Sequence, residues 1–217
     1  MARAVGIVAV AFGSLDVRAA AHQAAELGFD HLDAGIGSIG ALDDDALAAL
    51  PVPIGDRISG FEVVDGCTAM APVERRSEDR FDEAVEQFRR HPGARLEPGP
   101  NTAASSTERV EALVAAVPGL RLTLDTGHVA TWGEDPVPLL RHAAHVQFRQ
   151  AAKGRPQLHP DEGGDVDFAA VLAELDRLGY DGLVSIEYFD LPDYGWPLDD
   201  PVGHSVALAA HVRALMR

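Results

Sequence analysis

The stretch LRLTLDTGHVATWGEDPVPLLRHAAHVQF, residues 120–148, carries the fold in miniature. Residues 120–125 form an apolar run that ends on Asp125 and are predicted as a strand. Residues 136–143 follow as a helix, and 145–148 as a second strand. Two short apolar runs joined through a helix make a βαβ unit, whose strands must lie parallel. The pattern extends in both directions. Downstream come a helix at 168–178 stopped by Gly179, a strand at 183–188 and a closing helix at 201–216. Upstream lie a strand at 94–97, then a helix at 106–117 ended by Pro118 and Gly119. A helix at 77–90 is capped by Ser77, and strands at 5–12 and 31–36 alternate with helices at 16–27 and 43–50. Residues 52–69 hold two strands, around 52–58 and 61–69, with little helix between them.

Such alternation predicts an α/β protein with a parallel sheet covered by helices. An open doubly wound sheet and a closed (β/α)8 barrel both satisfy it. Counting 52–69 as two strands gives eight, and 217 residues place a barrel near the small end of its range. The missing length falls at 51–75, a reduced region between the third and fourth strands. After the first strand, Phe12-Gly13-Ser14 is neither a dinucleotide fingerprint nor a P-loop, which weighs against the open sheet. No linker or low-complexity segment interrupts 1–217, so the expectation is a single TIM-barrel domain.

Composition narrows the function. Asp plus Glu number 34 against 18 Lys plus Arg, a formal charge of −16. A chain this acidic is repelled by phosphate backbones and anionic membranes, so neither nucleic acid nor membrane is an expected partner. Cys67 is the single cysteine and has no internal partner, which fits a reducing compartment. The apolar stretch at 4–12 is short and leads directly into a helical pattern. It reads as a first strand rather than a leader, and the expected location is the cytoplasm.

The chemical signal is one kind of residue repeated at one structural place. Four strands each end on an oxygen donor: Leu96-Glu97, Leu124-Asp125, Val146-Gln147 and Ile186-Glu187. In a barrel these positions fall at the C-terminal rim, where active sites sit. Converging buried carboxylates repel and raise one another's pKa values unless a cation intervenes. Three carboxylates and an amide form an all-oxygen set suited to one divalent ion, Mg²⁺ or Mn²⁺ before zinc.

The motifs Leu96-Glu97-Pro98, Asp125-Thr126-Gly127-His128, His145-Val146-Gln147 and Gly179-Tyr180-Asp181-Gly182 running to Glu187-Tyr188 resemble those of the xylose-isomerase-like TIM barrels. That superfamily holds sugar isomerases and epimerases together with endonuclease IV. The resemblance implies that Glu97, Asp125, Gln147 and Glu187 hold one divalent metal. Gln147, where most members carry His, is similar to hydroxypyruvate isomerase, as are Glu97-Pro98, Gly154-Arg155 and Glu187-Tyr188. The chain is shorter than that group, carries Asn101 one residue further on and matches it poorly in its first half.

What the resemblance implies is isomerisation or epimerisation of a small sugar or keto acid. A proton next to a carbonyl is removed and returned, and the metal stabilises the enediolate charge. Glu97 and Glu187 are the expected base and acid. His128 is expected to contact a substrate oxygen. Arg149, Lys153 and Arg155, the basic cluster after Gln147, are expected to meet a substrate carboxylate or phosphate. Tyr194 and Trp196 are candidates to gate the pocket or to pack. Alternatives on the same scaffold are a dehydratase and a non-catalytic metal-binding barrel. An endonuclease would need a histidine cluster and a basic face that this chain lacks. A homodimer is an expectation for a short, open-mouthed barrel.

Overall fold

A computed structural model describes residues 3–74 and 79–217. Eight parallel strands close into a barrel in chain order: β1 (Val5–Val8), β2 (Leu32–Gly35), β3 (Ile54–Gly60), β4 (Thr68–Met70), β5 (Arg95–Glu97), β6 (Arg121–Asp125), β7 (Ala143–Phe148) and β8 (Val184–Ile186). β8 pairs back onto β1 through Val5–Val184 and Ile7–Ile186, which closes the ring and excludes the open sheet. Around it run α1 (Val17–Glu26), α2 (Ile36–Ile39), α3 (Asp44–Ala48), α4 (Phe81–Arg90), α5 (Thr107–Ala116), α6 (Thr126–Trp132), α7 (Phe168–Arg177) and α8 (Pro201–Leu215). β3 passes to β4 through residues 61–67 with no helix, so the barrel is shortened where the sequence lacks length.

Helix starts follow local chemistry. Asp16 accepts from the amides of Arg18 and Ala19, Ser106 from Arg109, Asp167 from Ala170 and Asp200 from Gly203. The Ser77 cap lies outside the described residues. α4 begins at Phe81, where Asp79 accepts from the Phe81 amide. Three predicted elements differ. The strand expected around 61–69 is only Thr68–Met70, and residues 61–67 form the connection from β3. Residues 5–12 split into β1 and a 3-10 turn (Ala9–Phe12), because the chain turns at Gly13, φ 65°. The helix at 136–143 is a 3-10 segment, Val137–His142. Its first bond runs from the Leu139 amide to the Pro136 carbonyl at 3.1 Å.

Strand alternation sorts the side chains. Leu96, Leu122, Leu124, Val146, Phe148, Val184 and Ile186 face outward. They are fully buried in the core that takes in Val110, Leu113, Val171, Leu175, Leu208 and Val212 from α5, α7 and α8. Each such side chain contributes about 1.5–3 kcal/mol. The barrel interior, by contrast, is polar. Arg95, Thr123, His145 and Ser185 stand two residues before Glu97, Asp125, Gln147 and Glu187, so they share the inward face one layer deeper.

That deeper layer is a connected network. The His145 Nε2 lies 2.8 Å from Asp33 Oδ2 and 3.2 Å from Ser185 Oγ, which also meets His31 Nε2 at 2.9 Å. Thr68 donates to Asp56 at 2.6 Å, and Arg95 pairs with Asp56. Burial pushes the Asp33 carboxyl up, but the charge and hydrogen bond of His145 outweigh it and hold Asp33 below the ordinary range. For His145 burial works downward and Asp33 lifts it above the ordinary histidine value. This layer is a rigid polar floor under the rim.

Candidate active site and metal centre

The four predicted ligands stand at or next to the ends of four neighbouring strands, β5 to β8. Glu97 ends β5 and Asp125 ends β6. Gln147 pairs with Asp125 across β6–β7, and Glu187 follows β8 with its amide bonded to the Phe148 carbonyl at 3.0 Å. All four are buried. Glu97, Asp125 and His128 each offer one ligand atom, and these atoms lie within 4.8 Å of one another.

Each residue of Asp125-Thr126-Gly127-His128 has a separate task. Asp125 caps α6, its Oδ1 accepting from the Gly127 amide at 2.7 Å. This buried helix was not predicted from sequence; its cap is the rim carboxylate itself. Thr126 Oγ1 accepts from the Arg149 amide at 3.1 Å and fixes the chain beyond β7. Gly127 leaves space for Arg149: a Cβ there would lie 2.6 Å from its Nε and 2.9 Å from its Cβ. His128 Nε2 stands 3.3 Å from both Glu97 Oε1 and Asp125 Oδ2. Its Nδ1 lies 3.2 Å from an Arg149 guanidinium nitrogen. A guanidinium only donates, so Nδ1 accepts and the His128 proton sits on Nε2, facing the two carboxylates.

Arg149 departs most from expectation. It is fully buried rather than a loop cation, because the inward period of His145 and Gln147 continues to it. Its guanidinium pairs with Asp125 and stacks 4.9 Å from the Phe189 ring and 4.8 Å from Trp196. The two rings are themselves stacked at 5.5 Å, and Trp196 meets the edge of His128 at 5.4 Å. Gln157 anchors this cover, donating to the Phe189 carbonyl at 2.8 Å and accepting from the Phe189 amide at 3.0 Å.

Charge balance at the rim is unfinished. Glu97, Asp125 and Glu187 set three carboxylates against one guanidinium. Burial, then the charges of Glu97 and Asp125, push the Glu187 carboxyl well above its ordinary range. Among the described residues, Glu187 Oε2 and both polar atoms of Gln147 are buried without a hydrogen-bond partner. Orphaned oxygens beside excess negative charge are what a hard divalent cation satisfies. The donor set of Glu97, Asp125, Gln147 and Glu187 therefore fits the ion that the motifs imply.

Lys153 and Arg155 are not brought to the carboxylates. They are exposed on a turn closed by the Ala152–Arg155 bridge, with Gly154 at φ 71°, and the Lys153 stem lies over Gly133. Sequence reasoning named Trp196 but missed its partner Phe189, the buried role of Arg149 and the polar floor. The available signal was the alternation His145, Gln147, Arg149, and a polar residue two positions before every rim donor.

Comparison with known proteins agrees with this architecture. The profile of the family described as xylose isomerase-like TIM barrel matches residues 55–211. No curated protein matches the sequence. A D-psicose 3-epimerase from Clostridium cellulolyticum H10, solved with D-tagatose, superposes with a TM-score of 0.72 at 13% identity, covering 100% of both chains. A 3-keto-D-glucoside 4-epimerase from E. coli gives 0.68 at 14%, covering 98% of this chain and 99% of the other. A probable 3-DHS dehydratase from Bacillus anthracis gives 0.66 at 15%, covering 98% and 97%. Likeness at these identities is likeness of fold. Among the described residues no helix is long and apolar enough to cross a membrane.

Proposed function

This chain belongs to the xylose isomerase-like TIM barrel family, and from that premise we propose that it is a divalent-metal-dependent isomerase or epimerase of a small sugar or keto acid. The observation that carries the proposal is the buried rim, where Glu97, Asp125 and His128 offer ligand atoms within 4.8 Å of one another, the charges of Glu97 and Asp125 bear on Glu187, and Gln147 lies beside Asp125 with its polar atoms unmet. Sugar epimerases among the structural neighbours support the same reaction class, and Gln147 favours a hydroxypyruvate-isomerase-like substrate.

Glu97, Asp125, Gln147 and Glu187 would hold the cation, Mg²⁺ or Mn²⁺ by their all-oxygen chemistry. When bound, it supplies positive charge opposite the negative charge that builds on the substrate oxygens as the proton departs. β5 and β8 bracket β6 and β7, so Glu97 and Glu187 approach a substrate from separate sides of the rim. One removes the proton beside the carbonyl and the other returns it. His128, protonated at Nε2, donates toward a substrate oxygen next to Glu97. Phe189 and Trp196 stack over the rim beside His128. Arg155 and Lys153, on the turn after β7, lie on the catalytic face and meet a substrate carboxylate from the solvent side. The net charge of −16 and the lone Cys67 support a small-molecule partner rather than nucleic acid, and a cytoplasmic setting.

Incubating the Mg²⁺-loaded protein in D₂O with ketoses, aldoses and hydroxypyruvate tests the reading by NMR. Deuterium entering at a single carbon beside the carbonyl, with the carbon skeleton and hydroxyl count retained, is the expected result. Loss of water from the product would replace the isomerase with a dehydratase. No exchange across the panel would overturn both.

A further inference from the structure

We propose that Arg149 is a resident counter-cation of the metal-free centre, which must leave Asp125 before a divalent ion is held, so that metal loading is coupled to loosening of the Trp196–Phe189 cover. The inference rests on the metal reading above and extends it to a residue outside the ligand set.

Asp125 is already spoken for. Its Oδ1 accepts from the Gly127 amide, and its Oδ2 takes the Arg149 guanidinium and faces His128 Nε2 at 3.3 Å. A guanidinium and a divalent cation on one carboxylate oxygen would repel each other strongly in so buried a site. The two therefore compete for Asp125.

Arg149 is also held in a way that permits release. Among the described residues only its paired terminal nitrogen has partners; Nε and Nη1 are buried with none. Leaving those donors unsatisfied is costly, and the guanidinium stays because Asp125 and two aromatic faces hold it. Once a divalent ion neutralises Asp125, the charge that draws Arg149 inward is gone. The guanidinium then regains hydrogen bonds by turning outward, and outward movement takes it from between Asp125 and the rings. Phe189 and Trp196 lose the cation they stack on. They are then held by the Gln157 clasp on Phe189 and the edge contact of Trp196 with His128, the Leu191–Trp196 bridge lying within the loop itself.

The accommodation is specific to this side chain. Gly127 provides the room along its stem, and Thr126 clasps its backbone through a reciprocal pair of hydrogen bonds, 3.1 and 3.3 Å. The strand period aims Arg149 at the centre beside Gln147. A solvated loop arginine needs none of these provisions.

The test compares chelator-stripped parent protein with Arg149→Met by calorimetric titration with Mn²⁺ and by melting without metal. Arg149→Met is expected to bind Mn²⁺ about tenfold more tightly or better, while its metal-free form melts lower. In a Trp132→Phe background, Mg²⁺ is expected to shift Trp196 fluorescence in the parent and to leave it unshifted in Arg149→Met. Should Arg149→Met fail to fold, Trp196→Leu removes one face of the guanidinium's seat and is expected to tighten Mn²⁺ binding severalfold. Unchanged or weaker Mn²⁺ affinity in the variants, with the parent binding normally, overturns the proposal alone. No Mn²⁺ binding by the parent or any variant overturns the metal reading with it.

Discussion

Glu187 is the residue on which the electrostatics of the rim converge. Its raised folded pKa has a defined consequence for stability. The neutral carboxyl is favoured in the fold, so its contribution is whole below the ordinary carboxylate value of 4.5 and is lost as pH rises through its folded value. Metal-free protein is therefore expected to melt at progressively lower temperature as pH rises above 4.5 toward the raised folded value, and Glu187→Gln to flatten that decline. Melting curves with chelator across that range check it; an unchanged decline in Glu187→Gln would contradict the assignment. In the loaded protein Glu97→Gln and Glu187→Gln should each lower turnover by about 10²–10⁴-fold with folding intact, measured as the rate of deuterium exchange. Retained exchange in both variants removes their roles. At this scale the sequence revealed the donors through their place at the ends of apolar runs. It concealed Arg149, because a charged residue after Phe148 looks like the end of a strand. Only the neighbouring Asp125 makes an inward arginine affordable.

At the scale of elements, β6 running into α6 determines the site. The strand was legible from 120–125, whereas α6 was not. TGHVATW has no apolar period and few strong helix formers, and the helix exists because Asp125 caps it and five of its residues are buried. Tertiary packing supplied what local propensity lacked. Gly127 sits at the centre of this junction. Gly127→Ala places a methyl group 2.6 Å from Arg149 Nε and 2.9 Å from its Cβ, so β7 and α6 must move apart. The expected cost is about 1–3 kcal/mol by denaturant titration. A neutral result would mean that Arg149 does not pack where the structure has it.

Across the whole molecule, the eight-strand count held because residues 54–70 contain two strands, β3 and β4, joined without a helix, although the second is confined to Thr68–Met70. The sequence did not disclose that the barrel is filled with hydrogen-bonded polar groups rather than branched aliphatics. Members of that network come from β2, β3, β4, β5, β6, β7 and β8, and no local window brings them together. His31 occupies its base only because Gly6 and Gly55 leave room; a Cβ at either would lie 2.2 Å from the imidazole. Gly6→Ala is thus expected to lower the denaturation midpoint by at least about 2 kcal/mol in stability, and an unaltered midpoint would show that the floor is not rigid. Above that floor the account depends on one cation in one place. Anomalous diffraction from crystals soaked in Mn²⁺ measures this directly. A single strong peak within coordination distance of Glu97, Asp125, Gln147 and Glu187 is predicted, and a peak elsewhere, or none at saturating Mn²⁺, would contradict it.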